Sequence, residues 1–62
     1  MTIKKQDLID HPNFKGSQQN VATFFDIERQ SVKGWGENIP ELRRLQLKER
    51  RPDIYDSLMN RW

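Results

Sequence analysis

Apolar residues recur every three or four positions along most of this chain, and proline, glycine and polar residues interrupt the recurrence. The spacing predicts a first helix roughly over Ile3 to His11. It ends before Pro12, because proline lacks an amide donor and disfavours the helical conformation of the residue before it. A second helix is predicted from Gln18 to Phe25. Ser17 stands where an N-cap side chain accepts a hydrogen bond from a free amide of the first turn.

A tight turn and a third helix follow directly. Asp26 tolerates the left-handed backbone conformation that such a turn needs. The third helix is predicted over Glu28 to Trp35, with Val32 and Trp35 facing the core and Gly36 capping its C-terminus. These two short helices and their turn have the spacing of a helix-turn-helix unit.

Two more helices are predicted in the remaining chain. Pro40 suits the first position of a fourth helix, in which Leu42, Leu45 and Leu47 are expected to face inward. A fifth helix begins at Pro52. Its apolar stripe consists of Ile54, Tyr55, Leu58, Met59 and Trp62. We expect this stripe to complete the core; the less favoured alternative is a dimer surface. No segment alternates with the period of a strand. The pattern predicts an all-α, five-helix domain.

Composition narrows the class of protein. The 62 residues are 34% hydrophobic and 32% charged, which suits one small domain over residues 1–62. The absence of cysteine excludes disulfides and thiolate metal sites, and His11 is the one histidine, so we expect no metal and no cofactor. No apolar run approaches the ~18 residues of a membrane span, and no signal peptide opens the chain. These features predict a cytoplasmic protein without a membrane partner.

The charges are distributed unevenly. The net charge is +2, but residues 28–51 carry seven basic and four acidic side chains, a local net charge of +3. A basic middle between neutral flanks is typical of a surface that binds a polyanion. An ordinary solvated helix surface is equally compatible with this distribution.

The outer face of the third helix carries the chemistry for reading DNA. Its polar residues after Glu28 are Arg29, Gln30, Ser31 and Lys33. Arginine can bond a guanine edge and glutamine an adenine edge in the major groove, which at about 12 Å wide accepts a helix. Gly34 costs helix stability, which suggests a close approach of the backbone to another surface there.

Backbone phosphates have candidate contacts on either side of that helix. The second helix begins with Ser17, Gln18 and Gln19, whose free amides and side chains can hold a phosphate. On the fourth helix, Arg43 is a further candidate within a basic run. The alternative for this run, a solvated face with Glu41 and Glu49 in reach, is favoured two to one on these spacings.

The chain resembles the Cro-type repressors of lambdoid phages and, more widely, the Cro/CI helix-turn-helix family. The resemblance covers roughly residues 4–47 and rests on Lys4-Lys5, Asp7-Leu8-Ile9-Asp10-His11, Gly16-Ser17-Gln18, Val21-Ala22, Ile27, Val32, Trp35 and Ile39-Pro40-Glu41. It implies an operator-binding repressor that occupies two half-sites as a dimer. It also implies base-reading positions at Arg29, Gln30, Lys33 and the small Gly34, with backbone contacts from Gln18 and Ser31. Asp26 stands where the family usually has glycine.

These observations predict a transcriptional repressor that reads operator half-sites in double-stranded DNA with the helix Glu28 to Trp35, in a bacterial host cell. We expect a weak homodimer in solution and a dimer on DNA. The alternative is a non-enzymatic module, antitoxin-like or adaptor, that binds protein through the same fold. No constellation of catalytic residues and no small-molecule site is predicted, because the chain lacks a nucleophile–base pair and a glycine-rich phosphate loop.

Overall fold

The computed structural model describes residues 2–60, and helices form most of this part of the chain. In chain order they are α1 (Lys5–Asp10), α2 (Gln18–Phe25), α3 (Arg29–Gly34), α4 (Glu41–Arg50) and α5 (Pro52–Met59). Within residues 2–60, the one β feature is an isolated antiparallel bridge between Lys4 and Asn38. The predicted all-α, five-helix architecture is therefore confirmed.

The predicted Ser17 cap of α2 and the predicted left-handed turn at Asp26 are both present. The Oγ of Ser17 accepts a hydrogen bond from the amide of Asn20 at 3.2 Å. Asp26 follows the helix with φ 57° and ψ 46°, in the left-handed region. The Ser17 cap follows from a side chain that bonds the backbone locally, and aspartate is one of the few non-glycine residues that tolerate the left-handed region.

The ends of α3 differ from the prediction. Glu28 and Trp35 flank the helix rather than belong to it, and both have extended backbone conformations. The predicted glycine cap is wrong, because Trp35 already leaves the helical conformation and Gly36 has no positive φ. Glu28 makes no side-chain hydrogen bond to the helix, so α3 begins without a side-chain cap.

The segment before α1 pairs with the loop after α3. Ile3, expected in the first helix, lies outside it and accepts a hydrogen bond on its carbonyl from the amide of Ile39 at 2.9 Å. The amide of Lys5 donates to the carbonyl of Glu37 at 2.9 Å. Ile3 and Ile39 are both buried, so this short extended pairing joins the N-terminal segment to the core.

Aromatic side chains link the inter-helix loop to the helix pair. Phe14, from the loop after α1, is buried and packs edge-on against Phe24 at a centroid distance of 5.5 Å. Phe25 is buried and meets the ring of Trp35 at 5.8 Å. Phe24 and Trp35 are both half-buried and pack against the core.

The inward face of α4 differs from the prediction. Leu47 is fully buried, but Leu42 is 60% exposed and Leu45 is 48% exposed. Leu42 and Leu45, three residues apart, share one face of the helix, and Leu47 lies on the opposite side. Only one of these faces can meet the core, and the one carrying Leu47 does.

The apolar stripe of α5 belongs to the core. Ile54, Tyr55 and Leu58 are buried, and Met59 packs against them half-exposed. Trp62, the last residue of the predicted stripe, lies outside the described residues. The buried members of the stripe confirm the core interpretation of α5 over a dimer surface.

Candidate nucleic-acid interface

The turn between α2 and α3 is held by backbone hydrogen bonds. The amide of Ile27 donates to the carbonyl of Ala22 at 3.0 Å, and the amide of Asp26 donates to that of Thr23 at 3.2 Å. Ala22 and Val32 are both fully buried. The small side chain of Ala22 and the branched one of Val32 thus lie in the core shared by the two helices, which orients α3 relative to α2.

The outward face of α3 is polar and unengaged. Arg29, Gln30, Ser31 and Lys33 are all exposed. Within residues 2–60, none of these four side chains forms a hydrogen bond or ion pair with the rest of the domain. The four side chains that the sequence predicts to contact DNA therefore lie together on one short helix. Their hydrogen-bond donors and acceptors are not used within the described domain.

No close approach of the backbone within the domain explains the glycine at position 34. It is the last residue of α3, where a glycine costs less than in a helix interior. A Cβ added at this position would meet nothing within 4 Å. No other part of the described domain therefore requires glycine here.

The N-terminal residues of α2 have mixed environments. Ser17 and Gln18 are half-buried, whereas Gln19 is exposed and donates to the hydroxyl of Thr23 at 3.4 Å. Asn20 donates its side-chain amide to the carbonyl of Phe14 at 3.1 Å, which ties this end of α2 to the preceding loop. The first turn of α2 is thus joined to the loop by a hydrogen bond.

The basic side chains of α4 and its end are engaged within the domain, unlike those of α3. Arg43 donates to Gln46 at 2.8 Å, and its guanidinium lies 5.9 Å from the centre of the Phe25 ring. The contacts of the others are Arg44 with the Tyr55 hydroxyl, Arg50 with the Phe24 carbonyl, Arg51 with Asp53, and Lys48 over the Tyr55 ring. These long side chains pack along the domain surface, where Lys48 and Arg50 remain exposed to solvent, so both the solvated face and the phosphate contact stay predictions.

Arg43 thus differs from Arg29 and Lys33, the other basic residues predicted to contact DNA. Its side chain is half-buried on α4 and does not join the α3 face through any described contact. Arg29 and Lys33 keep their guanidinium and ammonium groups free of described partners. Within residues 28–51, Arg29 and Lys33 are thus the basic side chains without a described contact.

A contact at the C-terminal end of α3 was not foreseen from the sequence. The Nζ of Lys5 donates to the carbonyl of Trp35 at 3.2 Å. The two residues are thirty positions apart in the chain. Helical periodicity relates residues only a few turns apart, so it does not predict this contact. The paired apolar residues Ile3 and Ile39, each isolated among polar neighbours, were the one available signal.

Three further features of the described residues bear on function: potential metal ligands, membrane-spanning helices and shifted pKa values. Among residues 2–60 no group of three or more potential metal ligands lies together. No helix in that range is long and apolar enough to cross a membrane. Arg51 holds the pKa of Asp53 below its ordinary value of 3.8, chiefly through the hydrogen bond between the two side chains.

A short helix packed on a second across a tight turn, with a free polar outer face, defines a helix-turn-helix protein, a class of DNA-binding transcriptional regulators. The family model for the DNA-binding transcriptional regulator Cro, of the P22 type, matches residues 4–51. The chain belongs to this family and is a Cro-type repressor that binds double-stranded DNA. Neither a curated protein nor a solved structure matches the chain significantly.

Proposed function

We propose that the protein represses transcription by reading operator half-sites with α3 in the major groove of DNA, within the cytoplasm of a bacterial host. Arg29 and Gln30 contact base edges, and Lys33 contacts a base or a phosphate. Ser17, Gln18, Gln19 and Ser31 bind the DNA backbone on either side, and Arg43 reaches a flanking phosphate. The backbone at Gly34 lies close to the DNA, where a side chain would obstruct the approach.

The observation that carries this proposal is the free polar face of α3. An arginine and a glutamine stand at its N-terminal end, the end that usually meets the bases in helix-turn-helix proteins. Their side chains have no described partner inside the domain to give up on binding. Arginine with guanine and glutamine with adenine are the pairings of greatest geometric specificity.

Arg43 requires one additional step. Its guanidinium would have to exchange the hydrogen bond with Gln46 for a phosphate oxygen, or use the donors that this bond leaves free. Such a contact would set the position of the domain on DNA without selecting a base.

Two copies are needed for an operator of useful specificity. A single small module buries too little surface for tight specific binding. The described domain measures 28 × 21 × 19 Å between its Cα extremes. Two such domains side by side can present their α3 helices about 34 Å apart, the spacing of half-sites one helical turn apart.

Selection of bound sequences from random duplex DNA tests this proposal. We expect a short half-site, repeated with two-fold symmetry at a spacing of about one helical turn. A library bound without any enrichment, with an affinity that depends on salt alone, would contradict base reading by α3.

The alternative of a protein-binding module predicts exposed apolar side chains on α3. The exposed positions of this helix after Glu28 carry Arg29, Gln30, Ser31 and Lys33 instead. We therefore favour DNA as the partner of this face, and the same selection experiment separates the two functions.

A further inference from the structure

Two neighbouring leucines project from α4 into solvent. Leu42 is 60% exposed and Leu45 is 48% exposed, and these two are the exposed large hydrophobic side chains of residues 2–60. Single exposed leucines are common on protein surfaces. Two on adjacent turns of one helix form a continuous apolar stripe, which we call the α4 stripe.

The opposite side of α4 is occupied by its own domain. Leu47 is buried, Arg44 reaches Tyr55 of α5, and Arg43 and Arg50 reach Phe25 and Phe24 of α2. With 3.6 residues per turn, Leu42 and Leu45 lie on the side of α4 opposite these contacts. The α4 stripe is therefore the part of the helix that the domain leaves uncovered.

We propose that a second copy of this chain covers the α4 stripe, with the two α4 helices antiparallel about a two-fold axis near the middle of the helix. The proposal rests on the proposed function in one respect, since it supplies the contact between two operator-bound copies. In this arrangement Leu42 of each copy packs against Leu45 of the other. A two-fold interface of this kind uses the same patch twice and closes at the dimer.

Two charges that flank the α4 stripe are complementary in this orientation. The exposed Glu49, in line with Leu42 and Leu45, lies at the outer end of the interface. Glu41 and Lys48 are both exposed and lie seven residues apart, two turns along one flank of the stripe. When two antiparallel helices pack face to face, this flank of one meets the same flank of the other. Glu41, at the N-terminal end of each helix, then faces Lys48 at the C-terminal end of its partner. In a parallel orientation like charges would lie at the same level.

The contacts that Glu41 and Lys48 make within the domain do not prevent this pairing. Glu41 is 3.5 Å from Arg44, a long ion pair, and its side chain is 79% exposed. The ammonium of Lys48 lies 5.6 Å from the Tyr55 ring centre, which leaves its three donors open. Both side chains can therefore reach across an interface.

The size of the α4 stripe implies a weak dimer. Stable interfaces bury about 1,200–2,000 Å² in total, and two leucines and two flanking charges on each copy bury less. A contact of this size contributes little in free solution. It becomes effective when two adjacent half-sites hold the copies together, because their effective concentration is then high.

The first experiment compares the wild-type chain with the Leu42→Gln/Leu45→Gln variant by sedimentation equilibrium without DNA. Glutamine keeps helix propensity and net charge while removing the apolar stripe. We expect the dimer dissociation constant to rise at least about tenfold, because two buried leucines per copy are lost. The control Ser57→Gln, at an exposed position of α5, leaves it unchanged. Equal self-association of the wild-type chain and the double variant would overturn the proposal, as would a wild-type chain that is monomeric at millimolar concentration.

The orientation is tested by exchanging the flanking charges. Glu41→Lys and Lys48→Glu each place like charges opposite each other and weaken self-association. The combined variant Glu41→Lys/Lys48→Glu restores opposite charges and is expected to recover the wild-type dissociation constant to within about twofold. A combined variant as weak as the single ones would contradict the antiparallel pairing. Thermal unfolding of each variant shows whether its domain is folded.

Binding to DNA distinguishes failure of this surface from failure of the proposed function. On a duplex with one half-site, the Leu42→Gln/Leu45→Gln variant is expected to bind as tightly as the wild-type chain. On a duplex with two half-sites it is expected to lose cooperativity. Cooperativity that persists in the variant would overturn the α4 surface. A wild-type chain that binds neither duplex specifically would overturn operator reading, while sedimentation still decides the dimer surface.

Discussion

The ammonium of Lys5 donates a hydrogen bond to the carbonyl oxygen of Trp35, 3.2 Å away, where α3 ends. The last carbonyls of a helix have no partner within it, and a cation there is favoured by the helix dipole. Because α3 has six residues and no side-chain N-cap, contacts from outside the helix hold it in place. Lys5 is one of these contacts.

We predict that Lys5→Met lowers the free energy of unfolding by ~1 kcal/mol, the usual contribution of one hydrogen bond. Methionine keeps the length of the side chain and removes the donor. Chemical denaturation measures this change, and Lys5→Arg, which retains a cation, is expected to lose less. Equal stability of the methionine variant and the wild-type chain would show that the contact does not stabilise α3.

The salt dependence of DNA binding separates Lys5 from Lys33. We predict that Lys33→Met reduces the slope of log K against log salt by about 0.9, the value for one lost phosphate contact. Lys5→Met is expected to leave the slope unchanged, because its ammonium binds Trp35 rather than DNA. The measurement is a filter-binding or fluorescence titration at several salt concentrations. If both variants changed the slope equally, Lys5 would be a phosphate ligand.

Arg29→Ala is expected to weaken specific binding by ~1–3 kcal/mol and to relax the preference mainly at one base pair, the effect of losing a bidentate base contact. Arg51→Ala is the matched control, because it removes the same charge from a residue bound to Asp53. Competition titrations with operator and random duplexes measure both variants. An equal loss on the two duplexes for Arg29→Ala would make Arg29 a phosphate contact.

Two leucines of α4 are predicted to differ sharply in their contribution to stability. Leu47 is fully buried, so Leu47→Ala is expected to cost ~2–5 kcal/mol, most of the stability of so small a domain. Leu42 is 60% exposed, and Leu42→Ala is expected to stay within about 0.5 kcal/mol of the wild-type chain when the chain is monomeric. Thermal unfolding at low protein concentration compares them. Similar losses for both variants would contradict the orientation of α4.

The left-handed residue between α2 and α3 gives a third stability prediction. Asp26 has φ 57°, which costs a non-glycine residue ~1–2 kcal/mol. Asp26→Gly removes this strain but raises the conformational entropy of the unfolded chain, which cancels about 0.4–1 kcal/mol of the gain. We therefore expect a small net increase in the free energy of unfolding. Asp26→Ala also removes the carboxylate but keeps a Cβ, and is expected to destabilise the domain. If the alanine variant were as stable as the glycine variant, backbone strain would not govern this turn.

The ion pair at the start of α5 predicts a pH dependence. Arg51 lowers the pKa of Asp53 below 3.8, so the pair stabilises the fold fully above that value and is lost as pH falls through the lowered pKa. An NMR titration of the Asp53 carboxyl measures the shift. In Arg51→Gln we expect the pKa of Asp53 to move back up towards its ordinary value. A pKa unchanged by this substitution would assign the shift to the backbone of the helix.

The parts of the fold that the sequence predicted depend on local interactions. The span of α2, its Ser17 cap and the left-handed Asp26 each follow from a side chain and the backbone next to it. The exposed polar face of α3 follows from the same kind of pattern, because Val32 is the one buried residue of the helix and fixes which side faces outward. For these features the nearest few residues supply the determining interactions.

The sequence by itself determined five helices, the turn between α2 and α3 and the polar residues on the outer face of α3, since helix periodicity and capping are properties of neighbouring residues. Only the tertiary structure decided that Leu47 faces inward while Leu42 and Leu45 face solvent, and that Lys5 reaches Trp35. The periodicity of α4 is compatible with either orientation. The choice depends on where α2 and α5 lie, and that arrangement is fixed by contacts between residues far apart in the chain.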